Sequence, residues 1–213
     1  DAFIIGFNHN SGKEGSNRIH FLLGKISGKF VGLVDSSYGS TTSTSGAFTM
    51  NTSNTNSGGW GSSQMRSKVL GSASSPTSPT ANTLLAALPS DLRAAMKSCT
   101  KYTDNAGGSN TASNVSSTTD YLFLLSEYEV FATHQYCNDA EPNYQAQYDY
   151  FKAGNSKVAN KHSATGTAAV WWLRSPYYRG INYYSSFCAV SSSGSLDYGY
   201  AYCAYGVVPG FVV

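Results

Sequence analysis

Four cysteines, four histidines and twelve carboxylates are the groups in this 213-residue chain whose types could carry metal or acid–base chemistry. Cys99, Cys137, Cys188 and Cys203 show neither a CxxC pair nor a paired Cys/His spacing, so no structural zinc site is expected. They allow three disulfide pairings, and as small apolar side chains they read equally as core residues. His9, His20, His134 and His162 are scattered through loops and strand edges, a pattern of solvent-facing or hydrogen-bonding imidazoles more than of a Ser/His/Asp triad. No GxSxG, HExxH, GxxxxGK[ST] or strand-borne GxGxxG occurs. Arg174 within "WWLRSP" could clamp an anion. Its structural alternative, a guanidinium stacked on Trp171 or Trp172 and bonded to loop carbonyls, is favoured because no carboxylate pair lies near it in sequence. Trp60 and Arg66 in "GGWGSSQMR" read the same way. The reading therefore assigns no catalytic residue, metal or cofactor.

Residues 177–205, "YYRGINYYSSFCAVSSSGSLDYGYAYCAY", carry a different chemistry. They hold eight of the sixteen tyrosines, and Tyr, Ser, Gly and Asn make up 18 of the 29 positions. Tyrosine gives a large, flat, amphipathic contact with few rotors, and small polar residues add adaptable hydrogen bonds, the mixture of antibody combining sites. Tyr198, Tyr200 and Tyr202 alternate, so a strand would line their rings on one face. Tyr177, Tyr178, Tyr183 and Tyr184 form doublets around Gly180, as a loop beside that platform would. A folding core would use more Leu, Ile and Val, so a binding surface is expected.

The elements that must position these groups read as follows. "AFIIGFN", "RIHFLLGKI" and "KFVGLVD" are expected strands. Residues 36–59 read as exposed loops around a short "AFTM" strand, and residues 105–118 as another loop. "GGWGSSQMRSKVLG" reads as a short helix capped by Ser62 or Ser63 and stopped by Gly71. Asn82 or Thr83 should cap "LLAAL", Pro89 should interrupt, and Ser90 or Asp91 should cap "LRAAMKSC". "DYLFLLSEYEVFA" passes from buried strand to helix near Ser126, and Tyr144, Tyr148 and Phe151 sit at helical spacing. "AAVWWLRSP" suits a central strand ending at Pro176, with "SSFCAV", "DYGYAYCAY" and "GVVPGFVV" as the last strands. "EPN", Glu141–Asn143, could offer a carboxylate and an amide carbonyl to Ca²⁺ and sugar hydroxyls, as in calcium-dependent lectins. A helix start with Pro142 in its first turn is the favoured reading.

With 12% charged residues and a net charge of +2, bulk electrostatics favour neither nucleic acid nor an anionic membrane as partner. The longest apolar runs fall far short of the about 20 residues of a spanning helix. The chain begins at Asp1 without a leader, which fits either removal of one or a piece of a longer protein.

"FNHNSG", "GGWGSSQMRS", "TKYTDN", "LFLLSEYEVF", "WWLRSP", "FCAVSSSG" and "GVVPGFVV" resemble a domain family appended to bacterial surface proteins, often beside immunoglobulin-like modules. The ending, a tryptophan strand, a variable stretch and "GVVPGF", resembles the C-type lectin fold of variable proteins from diversity-generating retroelements. In those systems mutagenesis of AAY codons yields NNY codons, which never encode Lys, Glu, Gln, Met or Trp. Residues 177–205 contain none of these, although the other 184 residues hold 23, a density that places about three or four in such a stretch. The resemblance implies a single α+β C-type-lectin-like domain over residues 1–213, short helices around small antiparallel sheets; because the chain lacks the Trp-Asn-Asp cluster that sugar-binding lectins add to "EPN", no obligatory Ca²⁺ is expected. It implies a non-catalytic binding domain, at a cell surface or on a phage particle as part of a larger protein, whose ligand is a protein or other cell-surface molecule. Its varied contact positions would be Tyr177, Tyr178, Arg179, Gly180, Ile181, Tyr183, Tyr184, Asp197, Tyr198, Gly199, Tyr200 and Tyr202, with Phe187, Val190, Leu196 and "GVVPGF" as scaffold. Two alternatives follow from the same residues: a fixed adhesin or glycan-binding module, or an enzyme on the related formylglycine-generating oxidase scaffold using Cys188 and Cys203.

Overall fold

The protein is described by a computed structural model covering residues 1–26, 29–32, 48–162, 164–180 and 183–213. It is a mixed α+β fold of short helices and small, mainly antiparallel sheets. Strand β1 (Ala2–Phe7) runs antiparallel to β2 (Ile19–Leu23), and helix α1 (Ser11–Glu14) lies between them. β2 also pairs with the final strand, β12 (Gly210–Val212), so the two ends of the chain share one sheet. Ile19 and Val213 exchange amide–carbonyl bonds of 3.0 and 3.1 Å. Residues 33–35 of the expected third strand lie outside the described residues. Its beginning forms β4 (Lys29–Gly32), which joins β3 (Lys25–Ile26), β7 (Ala159–Lys161) and β8 (Ala164–Ala169) in a sheet with one parallel pair, β4 with β7.

The helices follow their caps. Thr83 accepts from the Ala86 amide at the start of α3 (Leu84–Ala87), and Ser126 and Glu129 form a reciprocal capping box on α5 (Glu127–Phe131). After α2 (Gly59–Ser62), Ser63 Oγ accepts from Arg66 N, and the chain winds as a π-helix from Met65 to Leu70 until Gly71, at φ 69°, ends it. Pro89, not a side-chain cap, precedes α4 (Ser90–Ala95), which is shorter than expected because Cys99–Asp104 leaves it as strand β5.

Other expectations need correction. Val115–Thr118, the end of the expected 105–118 loop, begins strand β6 (Val115–Asp120), paired along its length with β5; its Ser/Thr residues at 116–119 are exposed or half-buried on both faces of a two-stranded ladder whose buried ends are Val115 and Asp120. Phe48–Met50 is irregular instead of a strand, with Ala47 outside the described residues. Asn51 and Asn56, within the supposed exposed loops, are buried. Tyr144 and Phe151 belong to separate pieces, a 3-10 turn at Glu141–Tyr144 and helix α6 (Asp149–Lys152), so the single long helix there is not formed. Pro142 opens that 3-10 turn, in line with the favoured reading of "EPN".

Strand β9 (Trp171–Pro176) is buried at all six positions and pairs with β10 (Ser186–Val190), which pairs in turn with β11 (Leu196–Tyr200). β9 is thus wholly internal although it ends its three-stranded sheet. Trp60, Trp171, Trp172, Leu122–Leu125, Phe187 and Val190 belong to one continuous core with Ile5 and Leu22 from the first hairpin. The four cysteines are unbridged, and all but Cys203 are buried.

Candidate ligand-binding face

Among the described residues six large apolar side chains are exposed, and four of them, Tyr183, Tyr184, Tyr198 and Tyr200, come from the tyrosine-rich stretch. The β10–β11 hairpin sets two of these rings. Pairing of Ser186 with Tyr200 and Cys188 with Tyr198 puts both tyrosines on one face of β11, and the turn at Ser191–Ser195 closes through Gly194 at φ 84°. Tyr198 stacks on Tyr177 at 4.1 Å between centroids, and Tyr136 meets both edge-on at 5.3 and 5.5 Å. Tyr136 is held there by the buried Glu127 carboxylate, which accepts from the amides of Gln135, Tyr136 (3.0 Å) and Cys137 (2.7 Å). Tyr200 stacks on Tyr202 at 5.7 Å, and Tyr183 meets Tyr184 edge-on at 5.5 Å.

The second half of the face is polar. Arg179 lies 2.8 Å from Asp139 and 4.7 Å above the Tyr178 ring, and Tyr178 OH donates to the same carboxylate at 3.1 Å. Hydrogen bonding from Asn110, chiefly, and from Tyr178, with the Arg179 charge, holds the Asp139 carboxyl below its usual range. Arg179 and Asp139 are exposed, so the pair orients side chains more than it stabilises the fold.

Asn56 ties the loop between β9 and β10 to the body. Its Nδ2 lies 3.2 Å from Tyr177 O, 2.5 Å from Tyr183 O and 2.8 Å from Ser186 O, and its amide donates to Tyr184 O at 3.1 Å.

The twelve candidate positions thus fall into three groups. Arg179, Gly180, Tyr183, Tyr184, Tyr198 and Tyr200 are exposed, and Tyr178, Asp197 and Tyr202 half-buried. Tyr177 and Gly199 are buried, so Tyr177 supports the Tyr198 ring from below instead of offering its own surface. A Cβ on Gly199 would lie 2.4 Å from the Tyr205 ring, which would have to move. Ile181 lies outside the described residues. Sequence reasoning missed Tyr136, Asp139 and Asn56, which lie far away in the chain, and Ser186 and Tyr205, which lie within the quoted stretch. Ser186, Tyr198, Gly199, Tyr200 and Tyr205 line a recess of about 260 Å³.

A separate polar cluster lies inside the molecule. Lys101 Nζ donates to Glu14 (2.6 Å), Glu129 (2.9 Å) and Tyr148 OH (2.9 Å), using all three protons. Arg174 engages both oxygens of Glu129, one at 3.0 Å and one at 2.5 Å, with Thr103 Oγ1 and the carbonyls of Leu124 and Tyr102 taking its other donors. Arg174 is thus structural, but its partner is a buried carboxylate 45 residues away instead of an indole face. Burial alone would push the Lys101 ammonium down, yet Glu129 and Glu14 outweigh it and hold it above its usual range. Burial likewise opposes ionisation of Glu129, but Arg174 and Lys101 prevail and depress its pKa. At Glu14 burial prevails and the pKa is raised. Burial and the Lys101 charge bring His9 to about 3 and His20 to about 2, so both rings are neutral.

Glu14, His20 and Cys99, and His9, Glu14 and Glu129, are close enough to share a metal ion. The Lys101 ammonium already sits against both carboxylates, and Lys101 and Arg174 balance Glu14 and Glu129. The donor set therefore fits an internal ion network better than a metal site. Trp60 Nε1 and Arg66 Nε both bond Asp120, which gives that motif a structural role too.

Glu141 sits apart from this network, accepting from Asp104 N (3.0 Å), Ser175 Oγ (2.7 Å) and Gln145 Nε2 (3.2 Å). Burial brings its pKa to about 7 against these donors. A raised carboxyl stabilises the fold at pH below its unfolded value and loses that contribution as pH rises through the folded value. Glu141→Gln should therefore gain on the natural protein by about 1–3 kcal/mol between pH 4.5 and 7. Urea unfolding of both proteins across that range checks this; a constant difference would mean that Glu141 titrates normally.

Residues 40–213 match the DUF6273 family, described as a domain of unknown function, and the chain belongs to that family. No curated protein and no solved structure matches it. The family match begins after β1–β4, although β2 pairs with β12 and Glu14 bonds Lys101.

Proposed function

We propose that this chain is a non-catalytic ligand-binding domain that displays a Tyr/Ser/Gly-rich C-terminal surface on a C-type-lectin-like scaffold, like the variable proteins of diversity-generating retroelements. The concentration of exposed tyrosine rings in residues 183–200, above a core that holds its own charges internally, carries this reading. The resemblance rests on a tryptophan strand, a tyrosine-rich stretch and a closing strand, which in this chain correspond to β9, residues 177–205 and β12. The ligand is a protein or other molecule displayed on a cell, and the domain works at a cell surface or on a phage particle as part of a larger protein.

The thiols favour binding over turnover. Burial pushes Cys188 well above the usual thiol range, and Cys203 is also raised by burial, whereas a reactive cysteine needs a depressed pKa. Ellman titration of the native protein should find at most Cys203 reactive within minutes, and all four after unfolding; a fast-reacting Cys188 would revive the oxidase reading.

Replacing Tyr198 and Tyr200 together by Ser should leave the melting temperature within about 4 °C, since half-exposed rings contribute little to folding. The same change should abolish capture of ligand-bearing cells by the immobilised domain. A collapse of the melting temperature would make these rings core; unchanged capture would move the site elsewhere. The diversified reading further requires, near the gene, an imperfect copy of the codons for residues 177–205, with adenines where the two differ, beside a reverse transcriptase gene. A fixed adhesin is favoured only at Tyr177 and Gly199, where burial restricts substitution.

A further inference from the structure

β11 ends its three-stranded sheet, and among the described residues no strand pairs with its outer edge. Ladder alternation fixes which backbone groups point outward there. Ala201 N–H donates to Ser185 O at 2.8 Å, so Gly199 and Asp197 direct their backbone groups inward to β10 while Tyr198 and Tyr200 direct theirs to the edge. Two of these four outward groups are already used. Tyr198 N–H donates to its neighbour Asp197 Oδ1 at 2.8 Å, and Tyr200 C=O accepts from Cys203 N at 2.8 Å. Among the described residues no hydrogen bond engages the Tyr198 carbonyl or the Tyr200 amide.

An antiparallel guest would reach these two groups through two different residues, and the remaining main-chain group of each would face one already used. A parallel guest needs the carbonyl of one residue and the amide of the next but one, bridged by a single extended residue. That is the arrangement left open, centred on Gly199. Beside it lies the recess lined by Ser186, Tyr198, Gly199, Tyr200 and Tyr205. Ser186 is one of its lining residues, and among the described residues its buried hydroxyl has no hydrogen-bond partner, while its carbonyl is taken by Tyr177 N and Asn56 Nδ2. A buried hydroxyl without a partner is costly unless something supplies one.

We infer that the outer edge of β11 docks an extended peptide segment of a partner protein, parallel to the strand, with one residue bridging Tyr198 C=O and Tyr200 N–H and a polar-tipped side chain in the recess reaching Ser186. This deepens the ligand-binding reading by naming the ligand as polypeptide main chain plus one side chain, the mode of strand addition. The surrounding rings of Tyr198, Tyr200 and Tyr205 exclude water from the rung, which strengthens its hydrogen bonds.

The test uses the full chain and a phage-displayed library of random linear dodecapeptides. Selected peptides are resynthesised and their affinity measured by fluorescence polarisation, with amide exchange followed by NMR. The inference expects the Tyr200 amide to exchange at least about tenfold more slowly in the complex. It expects one N-methylated peptide residue, the bridging one, to weaken binding about tenfold, and Ser186→Ala to weaken it several-fold while the melting temperature holds. It is overturned if no peptide is selected, if Tyr200 exchange is unchanged by bound peptide, or if N-methylation is tolerated at every position. Peptides, proteins or glycans lost on Tyr198→Ser/Tyr200→Ser without Tyr200 protection would overturn the edge docking and leave the tyrosine surface standing. Peptides that protect Tyr200 yet ignore the loss of both rings would do the reverse.

Discussion

Cutting the chain to residues 40–213, the span of the family match, is expected to abolish folding. The missing residues include β1 and β2, and among the described residues β2 is the only strand that pairs with β12, whose other pairings are single bridges to Lys97 and Phe123. They also include Ile5 and Leu22, both in the central core, whose burial is worth about 1.5–3 kcal/mol each. Glu14 goes with them, leaving Lys101 with one of its two carboxylates in a fully buried site. Breaking a buried pair from one side costs about 3–5 kcal/mol, and a domain of this size has only about 5–15 kcal/mol in total. Near-UV circular dichroism and a thermal melt of the truncated chain decide the matter. A cooperative transition within a few degrees of the full chain's would mean that residues 1–39 are an appendage.

The second large effect is expected at Glu129. Its carboxylate joins Lys101 to Arg174 and also closes the capping box on α5, accepting from Ser126 N at 2.9 Å. Glu129→Gln leaves two buried cations against Glu14 alone, so a loss of about 4 kcal/mol or more is expected. The sign has a pH counterpart. Because the Glu129 pKa is depressed in the fold, its contribution is present above the unfolded carboxylate value and is lost as pH falls below about 4. Glu129→Gln should therefore flatten the acid limb of the stability curve. Chemical denaturation of Glu129→Gln, Arg174→Met and the double variant completes a cycle. The double variant should be more stable than the sum of the single losses predicts, since each partner alone leaves an uncompensated charge. Strict additivity would show that the short contacts carry little coupling.

The elements with strong local signals were legible in the chain. Thr83 and Ser126 are side-chain caps whose effect spans three residues, and "WWLRSP" is apolar enough to demand burial. β6 was illegible because "VSSTTD" takes its strand form from pairing with β5, and Ser/Thr-rich stretches read alike as loop or exposed strand. The ion network was illegible because Glu14, Lys101, Glu129 and Arg174 meet across up to 160 residues, and no spacing rule reaches that far. Cys99, Lys101 and Thr103 are the buried alternation of β5, an inward-facing lysine that hydropathy alternation in "CTKYTD" does not announce. The tyrosine stretch was legible as composition. Which of its rings are surface and which are support was not, because Tyr136 and Asn56 arrive from distant loops.

The Asn56 clamp has a consequence for what the loop can become. It grips Tyr177, Tyr183 and Ser186 by their carbonyl oxygens and Tyr184 by its main-chain oxygen, groups that every amino acid possesses. Such an anchorage does not read side chains, so the loop's attachment and the loop's identity are inherited separately. Exchanging the tyrosine at 183 or 184 for another residue leaves each of these hydrogen bonds its acceptor, and the domain can present a new surface on an unchanged mount.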